Sequence, residues 1–131
     1  MKCLVDTSVL IHSLTSRPKL NQRALELLAD NSSDLYLSAI SSWEIIIKVR
    51  TGRLVLPERP AEFVTHAMRA MSLRPLDITH VHALELDELP EHHRDPFDRL
   101  LIAQALSEQM TLLTTDRVLQ KYKVDLVFCG K

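Results

Sequence analysis

Short apolar runs rich in Leu and β-branched residues alternate along the chain with longer stretches whose apolar positions recur every three or four residues. The runs Lys2 to Asp6, Leu35 to Ser38, Leu73 to Leu76, Thr111 to Thr114 and Asp125 to Phe128 predict five strands separated by helical periodicity. Such alternation predicts an α/β fold with a mainly parallel sheet. Strands such as LVD and LYLS have little polar alternation, which predicts helices over both faces of that sheet. Pro18, Pro57, Pro60, Pro75, Pro90 and Pro96 all fall at predicted boundaries, and one helix is expected to end at Gly52 before the chain turns toward Pro60. No internal repeat, low-complexity tract or long linker interrupts the pattern, so residues 1–131 read as a single domain.

In an open parallel sheet, ligands sit beyond the carboxyl ends of the strands, where the winding direction reverses. Polar residues at strand ends are therefore the first candidates for chemistry. Asp6 follows the first strand and Asp116 follows TLLTT, each at a place where a helix N-cap also belongs. Glu44, in SAISSWEIIIKVR, lies four residues after Ile40 and three before Ile47, on their stripe, so its carboxylate is expected to face inward. A surface Glu44–Lys48 pair is the alternative, because the helix is apolar over much of its circumference. In HHRDPFDRLLIAQAL, Asp95 reads as the N-cap, Pro96 as the first helical residue and Asp98 as the third, where an acid favours the helix dipole. Asp98 also shares a stripe with Leu101, Ile102 and Ala105, a facing that capping does not require.

Composition sharpens this picture. With 46% apolar and 25% charged residues, a chain of 131 has the make-up of one ordinary globular domain that folds without disulfides or structural metal. Cys3 and Cys129 form no Cys-x-x-Cys pair, and Asp6 interrupts the first apolar run, so a reducing, cytoplasmic setting without a secretory leader is expected. No apolar run approaches the length of a membrane span. The only glycines, Gly52 and Gly130, exclude the Gly-rich loops that cradle nucleotides. Unpaired buried carboxylates are costly, and no comparably placed group of lysines or arginines is evident in the sequence. Hard divalent cations, Mg²⁺ or Mn²⁺, are the natural counter-charge for such oxygen ligands. An acidic cluster holding them lowers the pKa of a bound water and neutralises a phosphodiester under in-line attack.

Sixteen basic and seventeen acidic residues give a net charge of −1, and setting aside Asp6, Glu44, Asp98 and Asp116 leaves 16 against 13, or +3. The remaining surface then tolerates nucleic acid. Lys48, Arg50 and Arg53 follow Glu44, and Arg94 and Arg99 flank Asp98, which makes Lys48, Arg94 and Arg99 candidate phosphate contacts, though charges at helix ends also serve simply as solvated surface. Aromatics at 5% supply no base-stacking platform. His80 and His82 point to different sides of a helix, and the adjacent His92 and His93 do not easily chelate one ion, so zinc is not expected and His92 and His93 read as loop residues near the site entrance.

The segments LVDTSVLI, SSWEIIIKVRTGRLVLP, HHRDPFDRLLIAQA and LLTTD, in that order over nearly the whole chain, resemble the PIN-domain family and within it the VapC-type ribonuclease toxins of bacterial toxin–antitoxin pairs. The resemblance implies a parallel sheet of strand order 3-2-1-4-5 between helical layers. It carries the family's acidic residues onto Asp6, Glu44, Asp98 and Asp116, with Asp98 preferred over Asp95. It also implies that Thr115 helps orient a metal-bound water, and it sets Ser8, a further candidate for positioning water, where close relatives carry Asn or His. Mg²⁺- or Mn²⁺-dependent RNA cleavage, a homodimer and a small antitoxin covering the site are further implications. The region of Trp43, Ile45 and Ile46 is the candidate antitoxin surface, because that helix is apolar beyond one stripe. An inactive PIN-like module that binds RNA or protein is the alternative, against which the presence of all four acids counts. Dehalogenase-type phosphotransfer would need Asp-x-Asp where Asp6 is followed by Thr7 and Ser8, and a receiver domain would need an acid pair near its first strand.

Overall fold

The structure, a computed structural model, describes residues 1–131. Five strands, β1 (Lys2–Val5), β2 (Asp34–Ser38), β3 (Arg74–Leu76), β4 (Thr111–Thr114) and β5 (Leu126–Phe128), form one all-parallel sheet in the order β3-β2-β1-β4-β5. Six α-helices connect them: α1 (Thr7–Thr15), α2 (Gln22–Ala29), α3 (Ala39–Arg50), α4 (Pro60–Ala70), α5 (His80–Glu85) and α6 (Pro96–Glu108). A short 3-10 segment at Arg17–Lys19 joins α1 to α2, and another at Arg117–Lys121 follows β4. The expected α/β architecture and strand order are those observed.

Alternation along the strands builds two cores. Cys3, Val5, Leu35, Leu37 and Leu113 face one side and pack with Val9, Leu10, Ala24, Ile45 and Ala67, whereas Leu4 and Leu112 face the other with Ile40, Leu101, Ile102, Ala105, Leu119 and Tyr122. Because successive strand side chains point to opposite faces, a strand with no polar position needs helices on both, and the two clusters are those two interfaces. Helix α3 contributes Ile40 to one core and Ile45 to the other.

Local signals explain most of the boundaries. Pro60 and Pro96 occupy the first turns of α4 and α6, where no amide donor is needed. Gly52, just beyond α3, adopts a φ of +75°, a left-handed conformation that suits glycine at the end of a helix. Pro75 departs from expectation. It lies inside β3 and not at a boundary, which is tolerated because β3 is an edge strand paired only with β2 and needs no amide on its open side. Cys3 and Cys129 are buried free thiols.

Candidate active site

The strand order reverses direction at β1, whose neighbours are β2 and β4, so the carboxyl ends of β1 and β4 open the crevice in which α/β sheets bind ligands. A cavity of about 470 Å³ lies there, lined by Asp6, Thr7, Ser8, Glu44, Lys48, His93, Asp95, Asp98, Thr115, Asp116 and Arg117. None of these is apolar. The fold thus brings all four expected acids to one place from positions as distant in sequence as 6 and 116.

Asp6 stands at the N-cap position of α1 but makes no capping bond with its side chain. Its Oδ2 instead accepts from the Thr114 hydroxyl at 2.6 Å and from the Ser8 hydroxyl at 3.3 Å, and Thr115 donates to Ser8 at 2.8 Å. Thr114 Oγ1 also accepts the Asp116 amide at 3.0 Å, tying the end of β4 to the carboxylate that ends β1. Burial pushes Asp6 up to about 6, further aided by Glu44 and opposed by the Thr114 hydrogen bond.

Glu44 satisfies both of its sequence readings. It pairs with Lys48 at 2.8 Å as the i,i+4 spacing allows, yet only 3% of it is exposed, and Thr7 donates to its Oε1 at 2.7 Å. The hydroxyls of Thr7 and Ser41 lie 2.9 Å apart, which extends this network into α3. Burial works against the Lys48 ammonium, but the hydrogen bond and charge of Glu44, with Asp98 and Asp95 beyond, outweigh it and raise Lys48. One lysine therefore supplies part of the counter-charge that the sequence alone did not reveal.

Asp98 lies on the inward face of α6, where desolvation first, then the charges of Asp6, Asp95, Glu44 and Asp116, push its carboxyl up to about 8. Asp116 accepts the Val118 amide at 2.9 Å through Oδ1, capping the 3-10 segment, while its Oδ2 faces the cavity. Asp95 caps α6 through the Phe97 amide at 2.9 Å, as its place before Pro96 predicts. It also lines the cavity, and carboxylate oxygens of Asp95, Glu44 and Asp98 lie within 4.8 Å of one another, so it is a fifth acid of the site as well as a cap.

His93 is the residue that sequence reasoning underused. Read as a loop residue near the entrance, it sits within the cluster, with Nε2 2.9 Å from Asp98 Oδ2 and 3.1 Å from Asp116 Oδ2. The adjacency of His92 misled, because the two side chains diverge: His92 packs edge-on against Tyr122 while His93 turns inward. Neither Arg94 nor Arg99 lines the cavity. Arg94 is exposed, and Arg99 directs its guanidinium to the carbonyls of Pro90 at 2.9 Å and of Leu89 and His93 at 3.4 Å. That arginine fastens the loop before α6. Arg117, not singled out from sequence, lines the cavity with its guanidinium 4.3 Å from the centre of the Phe128 ring.

The cavity sits at the switch point beyond the carboxyl ends of the strands, which defines an α/β protein of the doubly wound class with its candidate site in the customary crevice. The chain belongs to the PIN-domain family, whose model matches residues 3–125. It is 39% identical over 56 residues to Ribonuclease VapC16 of Mycobacterium tuberculosis, a match that spans 43% of this chain and 40% of that protein. Its fold resembles the structure of VapBC2 from Rickettsia felis bound to a promoter DNA fragment, with a TM-score of 0.74 at 19% identity over 99% of this chain and 100% of that one. It also resembles VapBC-1 from nontypeable Haemophilus influenzae, with a TM-score of 0.65 at 18% identity over 98% of each chain. No helix is long and apolar enough to cross a membrane.

Proposed function

We propose that this protein is a metal-dependent endoribonuclease and the toxin of a toxin–antitoxin pair, cutting RNA phosphodiester bonds at the Asp6, Glu44, Asp98 and Asp116 cluster. The observation that carries this reading is the convergence of four acids on one wholly polar cavity, in which burial and mutual repulsion hold the Asp98 carboxyl up near 8. Carboxylates so strained by each other's charge match a hard divalent cation, and an all-oxygen set of Asp6, Glu44, Asp98 and Asp116 suits Mg²⁺ or Mn²⁺. Such an ion supplies charge neutralisation at the phosphodiester and a more acidic water.

The chain's own residues do the rest. Thr114 and Ser8 fix the rotamer of Asp6, and Thr115, hydrogen-bonded to Ser8, sets a hydroxyl at the cavity wall where it can orient a water. Lys48, half-buried beside Glu44, places a cation where a phosphate would approach. Arg117 adds a second cationic side chain to the wall, in place of Arg94 and Arg99.

A solved neighbour of the same fold is described as a toxin–antitoxin complex from Klebsiella pneumoniae, which supports a small antitoxin as partner; a homodimer belongs to the same reading. Trp43, 57% exposed, and Ile46, 37% exposed, remain as its apolar contact on α3, but Ile45 does not, because it is wholly buried against the sheet. Incubating the purified protein with total RNA, with Mn²⁺ or EDTA, and mapping the cut ends tests the proposal. Cleavage should require metal and should be lost in Glu44→Gln and Asp98→Asn. Cutting in EDTA, or wild-type rates in either variant, would refute the assignment. RNA bound without being cut, in metal, would favour the inactive-module reading.

A further inference from the structure

We propose that His93 is a positioning residue of the acidic site, an Nε2–H donor that holds Asp98 and Asp116 together for a cation it does not itself ligate. The inference rests on the metal-dependent reading above. Nδ1 faces two backbone amides, that of Arg94 at 3.0 Å and that of Asp95 at 3.4 Å. An amide can only donate, so Nδ1 must accept and carries no proton. The ring proton then resides on Nε2, which faces Asp98 Oδ2 at 2.9 Å and Asp116 Oδ2 at 3.1 Å and donates between them.

One other role fails on the same contacts. A histidine ligating a cation through Nε2 needs a lone pair there and its proton on Nδ1, where two N–H groups already point. The backbone that carries the ring is held from both sides. Its own amide donates to the Tyr122 hydroxyl at 2.9 Å, and Arg99 grips the carbonyls of Pro90 at 2.9 Å and His93 at 3.4 Å.

The donor has a consequence for cation binding. Asp116 is fixed at both oxygens, by Val118 and by His93, and Asp98 is drawn toward it by the shared N–H. Each carboxylate oxygen keeps a second lone pair for an ion. The shared N–H thus draws the two carboxyl groups together without adding the positive charge that a lysine in the same place would bring. Groups that orient metal-bound carboxylates in this way are worth about 10- to 100-fold in metal affinity.

The test reads the proton and the affinity separately. Nitrogen-15 spectra of the metal-free protein at pH 7.5 should show His93 as the Nε2–H tautomer, unchanged when Mg²⁺ is added. Calorimetric titration with Mn²⁺ should give an affinity about 10- to 100-fold weaker in His93→Ala. His93→Gln, which keeps a side-chain N–H, should recover most of it, with both variants folded by thermal melting in EDTA. A proton found on Nδ1 in the metal-free protein overturns the proposal. So does a switch to Nδ1–H on adding Mg²⁺, which would make His93 a ligand, or a Mn²⁺ affinity unchanged or tighter in His93→Ala. Wild-type protein that takes up no Mn²⁺ at all overturns the metal-dependent function and the positioning role with it, whereas the spectrum still decides the tautomer.

Discussion

Replacing Asp98 by Asn should stabilise the metal-free protein near neutral pH while removing activity. The Asp98 carboxyl is held up to about 8 against an ordinary value of 3.8, so the folded state keeps its proton where the unfolded state has lost it. A group raised in this way stabilises the fold fully below its unfolded value and loses that contribution as pH rises toward its folded value. At about 1.4 kcal/mol per pH unit, three units between pH 4 and pH 7 amount to about 4 kcal/mol lost by the wild type. Asparagine carries no charge to lose. Its Oδ1 can still accept from His93 at the place where Asp98 Oδ2 lies 2.9 Å away, and neighbouring carboxylates can accept its amide. The gain of about 4 kcal/mol at pH 7 corresponds to a rise in melting temperature of roughly 15 °C for a domain of this size. Paired thermal melts in EDTA across pH 4 to 7 measure it. The gap should close by pH 4, where both side chains are neutral. Adding Mn²⁺ at a hundredfold excess over Kd should raise the wild type by about 2.7 kcal/mol and the variant by much less. A variant that melts at or below wild type in EDTA at pH 7, or a gap that persists at pH 4, would refute the electrostatic account of the site.

The remaining predictions isolate single contacts. Asp95→Asn keeps the cap on Phe97, since asparagine caps as well as aspartate, and removes one of the charges that raise Asp98; its melting temperature in EDTA at pH 7 should rise, by less than in Asp98→Asn. Thr114→Val removes the donor to Asp6 and the acceptor of the Asp116 amide, and chemical denaturation should show a loss of about 1–3 kcal/mol with cleavage impaired even though neither acid is altered. Ile45→Ala, wholly buried, should cost about 2–5 kcal/mol, whereas the exposed Ile46→Ala should leave the melt nearly unchanged and weaken only antitoxin capture in a pull-down.

Much of this site was legible because its chemistry violates local economy. Glu44 on an apolar stripe and Asp98 on the face of Leu101, Ile102 and Ala105 are carboxylates where burial disfavours them, and periodicity alone exposes such positions. The sheet was legible for a related reason: strands without polar alternation must be covered on both faces, as the two cores show. What stayed hidden depends on contacts that no local pattern encodes. Thr114 reads as one more β-branched strand residue until β1 and β4 pair and set its hydroxyl on Asp6. Lys48 and Glu44 announce an ordinary surface pair, and only the packing of α3 over the sheet buries the acid while leaving the lysine at the cavity wall.

His93 shows the same limit most clearly, because its role is decided by backbone groups. Nothing in the side-chain sequence HHRDP says that the amides of Arg94 and Asp95 turn toward one imidazole nitrogen. The cap of Asp95 on Phe97 sets the start of α6, Pro96 fixes its first turn, and the chain just before that start must bend so that its free amides find acceptors. His93 Nδ1 is the acceptor they find. The two amides that precede α6 thus act across the ring and place an N–H among the acids, joining the geometry of a helix start to the electrostatics of the site.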